Sequence, residues 1–416
     1  MVLVAVVAYL LGRLVGTYEF YVGATAFAML VVVSWTVTLL SGSRLHVDVK
    51  VEPDNPVAGD PLEFTVHLEN HSFLPTSALT LAADLAPAAG EDLALDLSPL
   101  APRGTLTVTS SLAASRRGAF TLPAPRVTLT DPFGIARRRR PVGGELIFTV
   151  LPRIAVLRNC VFFGGHGLGR LGRLRGALVH GSYDFRGVRP HQPGEPLSRI
   201  DWKSTAKTGV LMLREVDEPA RNEVAIVVDG TVSMVVGKAP DDTYEASVAA
   251  AGSIGEFVLR EGLGTVLFLH RAVDQHLPCE SGQAGRMHLL QNLAATRADA
   301  TVQLAESMRR NEALLARGMA VVVVTPAYDR GLLLALTRLR ERGLPVFLVH
   351  VDARSFLAAE TGSGAAEPEG PAAVEVRRFL LRLAHSGVPS VALRRGEPLD
   401  EVLSFRSVGA ESGALA

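Results

Sequence analysis

A short segment places oxygen-bearing side chains at alternate positions directly after an apolar run. In Asp229-Gly230-Thr231-Val232-Ser233, a carboxylate and two hydroxyls are each two residues apart. The apolar run before them, residues 223–228, is typical of a buried parallel strand. Oxygen ligands beyond the carboxyl end of a strand can converge on one hard cation, and Mg²⁺ accepts carboxylate, hydroxyl and water oxygens. The segment is therefore a candidate Mg²⁺ site.

Asp229 also has simpler interpretations. Its carboxylate can cap the next helix or hydrogen-bond the loop after the strand. A haloacid-dehalogenase arrangement requires a second Asp two positions later, where this sequence has Thr231. A nucleophilic role for Ser233 is unsupported, because no histidine pattern lies nearby to activate it. Four scattered histidines are expected to be ordinary core or surface residues: His270, His276, His288 and His350.

Alternating strands and helices over residues 221–406 predict the fold that positions this loop. Beyond the first strand, apolar runs predict strands at 265–270, 320–324, 345–351 and 390–393. Helical spacing of apolar residues predicts helices at 243–260, 287–293, 302–315, 330–342 and 374–384. Such alternation is typical of a doubly wound, Rossmann-type α/β sheet. Residues 353–371, rich in Gly, Ala and Glu, are predicted to be a loose insertion.

The first 42 residues predict a transmembrane hairpin. The chain is 48% hydrophobic with a mean hydropathy of +0.25, so a membrane segment is expected. Residues 22–40 carry no charge and nearly match a hydrocarbon core of about 30 Å. Residues 2–15 are apolar except for Arg13, which lies near the end of the stretch and can snorkel to the interface. Tyr18 and Tyr21 in the short connection fit an interfacial aromatic belt.

The alternative to the hairpin is a signal peptide followed by one anchor. A signal peptide begins with basic residues, and residues 1–4 contain none, which favours the hairpin. Arg44 and Lys50 follow the second apolar stretch and favour a cytoplasmic location for the rest of the chain. The expected localisation is therefore a two-pass protein of the cell membrane with cytoplasmic domains.

Residues 43–152 predict an all-β domain. Polar and apolar residues alternate at 46–51, 62–68, 106–112 and 126–130, with turn residues between these runs. Short strands at this spacing are typical of an immunoglobulin-like or fibronectin-like sandwich. The domain shows no catalytic constellation, so a spacer or binding module is expected. The arginine run, residues 137–140, is either a solvated loop or edge, or a contact with anionic lipid headgroups, at about 1 kcal/mol per basic residue.

Residues 153–220 are expected to be a linker and a charged loop. Gly167, Gly169 and Gly172 match G-x-G-x-x-G, but a dinucleotide site needs a strand before this loop and a helix after it. Asp184 has the required spacing, yet residues 176–190 do not resemble a helix followed by a buried strand. A flexible Gly/Arg linker is therefore favoured.

The segment 183–215 gathers charged residues around Trp202 without strand or helical periodicity. This composition favours an ordered, ion-paired loop over a packed element, and a merely solvated loop is the alternative. The candidate partner-binding residues within it are Glu195, Arg199, Asp201, Trp202 and Lys203.

This segment resembles the signature of the bacterial domain-of-unknown-function-58 family. The family pattern is Tyr-x-Pro-Gly-Asp-Asp-x-Arg-x-Ile-Asp-Trp-x-x-Ser-Ala-Arg-like, and it precedes a von Willebrand factor A-like fold. The matching residues are Pro193, Gly194, Ile200, Asp201, Trp202 and Ala206. The departures are Glu195 and Pro196 for two Asp, Ser198 for Arg, Thr205 for Ser, Lys207 for Arg and His191 for an aromatic residue.

The family resemblance extends to most of the chain. Asp131-Pro132-Phe133-Gly134 is similar to a DPFG segment that follows a comparable sandwich in the family, and the hairpin is similar too. Family members are often encoded beside MoxR-type AAA+ ATPases, so the resemblance implies such an ATPase as a partner.

The resemblance also implies how a metal-ion-dependent adhesion site would be assembled. The segment from Asp229 is similar to the D-x-S-x-S loop of such sites, with Thr231 in the first Ser position. The complete site takes a Thr from a later loop, for which Thr301 is the candidate. It also takes an Asp after the fourth strand, where this chain has Pro326, with Asp329 three residues further on. The implied site is therefore partial.

These observations predict a transmembrane hairpin (1–42), a β-sandwich (43–152), a linker with the charged loop (153–220), a von Willebrand factor A-like domain (221–406) and a tail (407–416). The expected function is that of a membrane-anchored, non-enzymatic interaction or scaffold protein. A hydrolase built on the same sheet and an envelope glycan-binding protein are the alternatives. Equal numbers of basic and acidic residues, 42 each, argue against nucleic-acid binding. Two cysteines, Cys160 and Cys279, are too few for a disulfide scaffold.

Overall fold

The protein forms two compact units, Met1–Arg153 and Ile154–Ala416, in a computed structural model. The residues that the structure describes are 2–40, 44–131, 133–162, 185–192, 200–216, 223–315, 319–360 and 370–404. The first unit contains both the segment predicted as a hairpin and the segment predicted as a β domain.

Two apolar helices begin the first unit. Helix α1 (Val2–Val15) and helix α2 (Tyr18–Leu40) are separated by two residues, and the rings of Tyr9 and Tyr21 meet edge-on at 5.7 Å. Within the described part of the chain, α2 alone is long and apolar enough to cross a membrane. Its 23 residues extend about 34 Å, whereas the 14 residues of α1 extend about 21 Å.

Antiparallel strands follow the helices, as the alternating sequence predicts. The strands are β1 (Leu45–Glu52), β2 (Pro61–Asn70), β3 (Ala78–Ala83), β4 (Leu93–Leu97), β5 (Thr105–Ala113), β6 (Gly118–Leu122), β7 (Arg126–Thr130), β8 (Arg137–Pro141) and β9 (Leu146–Val150), with helix α3 (Ala86–Ala89) between β3 and β4. They form sheets of order β1-β2-β5, β4-β3-β7-β8 and β6-β9. Alternate residues of β2, such as Val66 and Leu68, pack against Leu79 and Leu129 from the second sheet.

The arginine run lies in β8, at the edge of the four-stranded sheet. Strand β8 pairs antiparallel with β7, and Arg137 lies opposite Thr130. Arg137 and Arg139 are exposed, whereas Arg138 and Arg140 are half-buried. The run is therefore an edge strand, which is one of the two solvated forms that the sequence allowed.

The segment that carries the family signature contains regular elements, contrary to the prediction of an aperiodic loop. Strand β10 (Phe185–Pro190) pairs antiparallel with β11 (Met212–Val216), and helix α4 (Trp202–Thr208) lies between them. The prediction failed because both strands and the helix are too short to show a period. The glycine motif at Gly167, Gly169 and Gly172, and also Asp184, lie outside the described residues.

A six-stranded sheet organises the second unit. Its strands are β12 (Glu223–Asp229), β15 (Gly264–His270), β16 (Gln275–Cys279), β17 (Ala320–Thr325), β18 (Val346–Val351) and β19 (Ser390–Leu393). The order is β16-β15-β12-β17-β18-β19, parallel throughout except for β16 at one edge. A small hairpin, β13 (Gly237–Lys238) with β14 (Asp241–Asp242), follows β12.

Helices cover both faces of this sheet, so its strands are buried on both sides. The helices are α5 (Thr243–Arg260), α6 (Gln283–Ala295), α7 (Leu304–Arg310), α8 (Arg330–Glu341), α9 (Ala353–Glu360), α10 (Pro371–His385) and α11 (Leu399–Leu403). Ile226 and Val228 of β12 face one apolar core, whereas Ala225 and Val227 face the other. Helix α9 lies in the segment predicted to be loose, and strand β16 was not predicted.

Candidate functional site

The carboxylate of Asp229 lies at the end of β12, where the order of the strands reverses. Strand β12 pairs with β15 on one side and with β17 on the other, and ligands of doubly wound sheets bind beyond the carboxyl ends of the strands at this point. The Asp229 side chain is only 3% exposed. Oδ1 accepts hydrogen bonds from the Thr231 N–H at 3.0 Å and from the Thr231 hydroxyl at 2.6 Å. Oδ2 accepts one from the Thr325 hydroxyl at 2.5 Å.

Thr325 is the residue of this network that sequence reasoning missed. It ends β17, it is fully buried, and its hydroxyl also accepts the N–H of Ala327 at 2.9 Å. The comparison with adhesion sites directed attention to the next position, Pro326, and to Asp329. Asp329 instead caps α8 by accepting the N–H of Leu332 at 3.0 Å. A hydroxyl at the end of a neighbouring strand was the signal that could have identified Thr325.

Ser233 and Thr301 lie beside the network, but their side chains are exposed. Ser233 belongs to a 3₁₀ turn, Val232–Met234. Thr301 follows Ala300, which is tied to the Asp229 loop by Ala300 N–H to Gly230 O and Val232 N–H to Ala300 O, each at 2.9 Å. The structure therefore brings together the segments of all four predicted ligands. It joins only Asp229 and Thr231 by side-chain hydrogen bonds.

The donor set at this point suits hydrogen bonding better than cation binding. Asp229 supplies the one carboxylate of the network, and both of its oxygens already accept hydroxyl hydrogens. Among the described residues, no group of three or more His, Cys, Asp or Glu side chains is placed to hold a metal ion. A cation would have to share this carboxylate with three hydrogen bonds, so Mg²⁺ binding stays a prediction.

An aspartate–histidine pair next to Asp229 has the chemistry of a catalytic dyad but not its geometry. His270 ends β15 and is 2% exposed. Its Nδ1 lies 2.9 Å from Asp274 Oδ1, and its Nε2 lies 2.9 Å from the carbonyl oxygen of Val302. Ser307 donates to Asp274 at 2.6 Å, not to the histidine. A nucleophile must contact the base that activates it, and here both ring nitrogens are engaged by structural partners.

A second buried histidine follows on β18. His350 is 1% exposed, and burial lowers its pKa to about 4, with the Arg354 charge adding to the effect and Asp352 opposing it. Burial by itself raises the pKa of Asp352, but bonds from Arg354 at 2.7 and 2.8 Å keep it below its usual value. Arg354 and Asp352 hold each other in place, and His350 stays neutral near pH 7.

A cavity of about 450 Å³ opens beside the Asp229 loop. Met234, Leu333 and Phe379 provide apolar lining. Three exposed arginines line it as well, and none of their guanidinium groups has an ion pair or hydrogen bond with another described residue: Arg330, Arg378 and Arg382. The remaining lining residues are Gln303, Tyr328, Asp329 and Glu375. We call this cavity the arginine pocket. Because Met234 follows β12 and Tyr328 follows β17, the pocket lies at the point where the strand order reverses.

The structure describes three of the five predicted partner-binding residues of the charged segment. Asp201 caps α4 by accepting the Lys203 N–H at 3.1 Å, so its carboxylate has a local structural role. Trp202 is 68% exposed and Lys203 is exposed, so both are accessible. Glu195 and Arg199 lie outside the described residues.

Part of the chain, including most of the signature segment and the first strands of the six-stranded sheet, matches a known family. Residues 187–355 match the family model described as "Protein of unknown function DUF58". The uncharacterized protein YeaD of Bacillus subtilis (strain 168) is 29% identical over 121 residues, which are 29% of this chain and 28% of that protein. The uncharacterized protein Rv1480 of Mycobacterium tuberculosis (H37Rv) is 30% identical over 145 residues, 32% of this chain and 44% of that protein. The aligned region thus spans less than half of each of these relatives.

Similar solved structures give weaker matches. An aerotolerance-related membrane protein from Bacteroides fragilis, solved with multiple mutations to serine, matches 43% of this chain and 93% of its own, with 11% identity and a TM-score of 0.27. A CARDB domain from Pyrococcus furiosus matches 26% of this chain and 84% of its own, with 17% identity and a TM-score of 0.17. Scores this low carry no argument about fold or function. The match over residues 187–355 thus identifies a DUF58-like region in this chain.

Proposed function

We propose that this protein is a membrane-anchored interaction protein whose α/β unit binds an acidic segment of a partner protein in the arginine pocket. The observation that carries the proposal is the pocket itself: three exposed guanidinium groups without ion-pair partners among the described residues, around an apolar lining. Arginine pairs with carboxylates through two parallel hydrogen bonds, which gives such a site specificity as well as affinity.

The neighbourhood of the pocket favours binding over catalysis. Asp229 and His270, the ionisable groups that end the two adjacent strands, are both buried and engaged in internal hydrogen bonds. The exposed side chains around the pocket are the hydroxyls of Ser233 and Thr301, Gln303, Tyr328, Glu375 and the three arginines, and the described lining contains no histidine or cysteine. An acidic peptide with one apolar side chain would pair with the arginines and cover Leu333 and Phe379. We therefore propose a scaffold role rather than a hydrolase.

The resemblance of the sequence to the family also bears on the folds of the two units. We propose that the α/β unit is von Willebrand factor A-like, and that the strands of the first unit form an immunoglobulin-like sandwich. The leading candidate for the partner is a MoxR-type AAA+ ATPase, because the family that this sequence resembles is associated with such ATPases. Trp202 and Lys203 are accessible for the same partner.

Helix α2 provides the membrane anchor in this proposal, and α1 packs against it as the shorter arm of the hairpin. Arg44 and Lys50 follow α2, which favours a cytoplasmic location of both units. A reporter fused to the C-terminus tests that side directly, and a periplasmic signal would contradict it. Membranes washed with carbonate should retain the full chain and release a variant that lacks residues 1–40.

The binding proposal is tested by charge reversal in the pocket. Full-length protein in nanodiscs is mixed with the purified MoxR-type ATPase, and binding is measured by biolayer interferometry with and without Mg²⁺. We expect the Arg378→Glu, Arg382→Glu double variant to lose affinity by about tenfold or more, because each new acidic group repels the partner's carboxylates.

The matched control is Arg377→Glu. Arg377 is exposed on the same helix but does not line the pocket. Its reversal should leave the affinity within about twofold of wild type, as expected for a rim charge. Equal losses in the control and the pocket variant would overturn the pocket assignment. The absence of any binding by the wild type would remove the ATPase as the partner.

A further inference from the structure

The end of the β domain nearest the C-terminus of α2 runs alongside that helix. The Ser34 hydroxyl donates to the carboxylate of Asp131, in the loop between β7 and β8. Arg138 Nη1 donates to the Leu39 carbonyl oxygen at 3.1 Å, and Arg140 Nη2 donates to that of Leu45 at 3.3 Å. The loop and the start of β8 therefore follow the last two turns of α2.

These contacts fix the position of the β7–β8 loop along the axis of α2. Ser34 is six residues before Leu40, the end of α2, which corresponds to about 9 Å along the axis. Asp131 Oδ2, which accepts from Ser34, also accepts the Phe133 N–H at 3.1 Å. The backbone of Phe133 is thus held beside Ser34, about two turns before the C-terminal end of α2. The Phe133 side chain is 62% exposed.

The carboxylate that holds this loop is fully satisfied. Asp131 is 3% exposed and also accepts the Ala136 N–H at 2.6 Å. Burial by itself raises the pKa of Asp131, but the bonds from Ser34, Ala136 and Phe133 outweigh it and keep the pKa below its usual value. A carboxylate at the edge of a membrane requires such compensation, because an unpaired buried charge is costly.

A second loop at the same end presents apolar side chains. The His71 N–H donates to the carbonyl oxygen of Arg44, just after α2, at 3.0 Å. Phe73 and Leu74 in this loop are 72% and 46% exposed. The buried Asn70 orders the loop, because its amide donates to the Leu74 carbonyl oxygen at 2.9 Å.

Basic side chains surround these apolar tips, whereas the other end of the domain is acidic. Arg103 lies 5.1 Å from the centre of the Phe73 ring, and Arg44 and the arginine run lie beside the C-terminus of α2. Two acids on this side have partners: Asp131 accepts the bonds given above, and Glu69 is paired with His71 at 3.1 Å. At the far ends of β1 and β2 a cavity is lined by four acids: Glu52, Asp54, Asp60 and Glu63.

We propose that this loop end of the β domain binds anionic phospholipid, with Phe73, Leu74 and Phe133 inserted at the membrane interface and Arg103, Arg137 and Arg139 on headgroup phosphates. The inference rests on the proposed anchor, because α2 sets the height of the loops. Interfacial aromatic residues and juxtamembrane arginines are the elements that such binding uses. The rival role for β8 is protection of a sheet edge against pairing with another chain, for which charged residues also serve.

The depth of the loops is measured on the full chain in nanodiscs of phosphatidylcholine with phosphatidylglycerol. A bimane label is placed at Phe133→Cys, Phe73→Cys or, as the control at the acidic end, Asp54→Cys. Both native cysteines are buried, so labelling is directed to the introduced thiol. Lipids with a doxyl group near the top of the acyl chain should quench the labels at positions 133 and 73 several-fold more than the label at 54.

Charge reversal separates lipid binding from edge protection. We expect Arg137→Glu with Arg139→Glu to abolish the increase in quenching that phosphatidylglycerol causes over phosphatidylcholine alone. Arg116→Glu with Arg126→Glu, exposed arginines toward the acidic end, should retain that increase. If the first variant keeps the full lipid dependence and only aggregates, edge protection explains the arginines and the proposal fails.

The experiment distinguishes failure of the anchor proposal from failure of the loop proposal. If labelled protein stays in the nanodisc but the three positions are quenched equally, the loops do not insert, and the anchor survives. If the full chain does not enter nanodiscs or resist carbonate washing, the anchor itself is wrong. The lipid proposal is then overturned with it.

Discussion

The hydrogen bond between Thr325 and Asp229 is expected to be the main side-chain contact between the carboxyl ends of β12 and β17. Replacing Thr325 by Val keeps the shape of the side chain and removes its hydroxyl. Asp229 Oδ2 then loses its 2.5 Å donor, and the Ala327 N–H loses its 2.9 Å acceptor. Asp229 and Ala327 are almost fully buried, so water does not replace these bonds readily.

The expected cost is about 2–3 kcal/mol, because a hydrogen bond to a charged group contributes about 1.5–3 kcal/mol and a buried unsatisfied group costs about 1–3 kcal/mol. Thr231→Val is the matched comparison. Asp229 Oδ1 would keep the Thr231 N–H at 3.0 Å, so this variant should cost about 1 kcal/mol.

Hydrogen exchange followed by mass spectrometry measures the effect in the intact protein. Peptides that cover β12 and β17 should exchange about 30-fold faster in Thr325→Val, the equivalent of about 2 kcal/mol. Peptides from the β domain should be unchanged. Equal effects of Thr325→Val and Thr231→Val, or an effect below about twofold, would show that Asp229 is not held as described.

Three further predictions concern other buried groups of the α/β unit. His350 has a folded-state pKa of about 4, below its ordinary value of 6.5, so stability should be complete above pH 6.5 and fall by up to about 3 kcal/mol as the pH drops toward 4. In His350→Gln the urea midpoint of unfolding should depend less on pH over that range. A pH dependence like that of wild type would show that this histidine does not cause it. Gly230→Ala should destabilise the unit by about 2–3 kcal/mol, because a Cβ there would lie 2.2 Å from the His270 carbonyl oxygen, and a thermal melt like that of wild type would contradict the packing. Burial raises the pKa of both Cys160 and Cys279 to about 11, so neither should react with a maleimide at pH 7 until urea unfolds the chain; rapid labelling of the native protein would refute this.

The long periodic elements were accessible from the sequence. Apolar runs located β12, β17 and β18, and the spacing of alanines with Ile254 and Phe257 predicted α5 over its observed range, Thr243–Arg260. Such elements are buried on one face or on both, so burial imposes a period that the sequence shows.

Strands at the edges of the sheets could not be predicted from the sequence in the same way. Strand β16, Gln275–Cys279, is half-exposed and polar at the sheet edge, and β8 consists largely of arginines, so neither has an apolar period. Pairing with β15 and β7 holds these strands in place, and those contacts depend on the tertiary fold. Thr325 belongs to the same class, because its contact with Asp229 joins positions 96 residues apart.

Titration with Mg²⁺ decides between the two roles of Asp229. A cation that binds the native state at a concentration 100 times its dissociation constant stabilises it by about 2.7 kcal/mol, which would slow exchange of β12 and β17 about 100-fold. We expect no such change, because both oxygens of Asp229 already accept hydroxyl hydrogens, and the neighbouring Ser233 and Thr301 offer only neutral hydroxyls. Protection by millimolar Mg²⁺ that is absent in Asp229→Asn would refute this, and the candidate metal site would then replace the hydrogen-bonded network as the function of the loop.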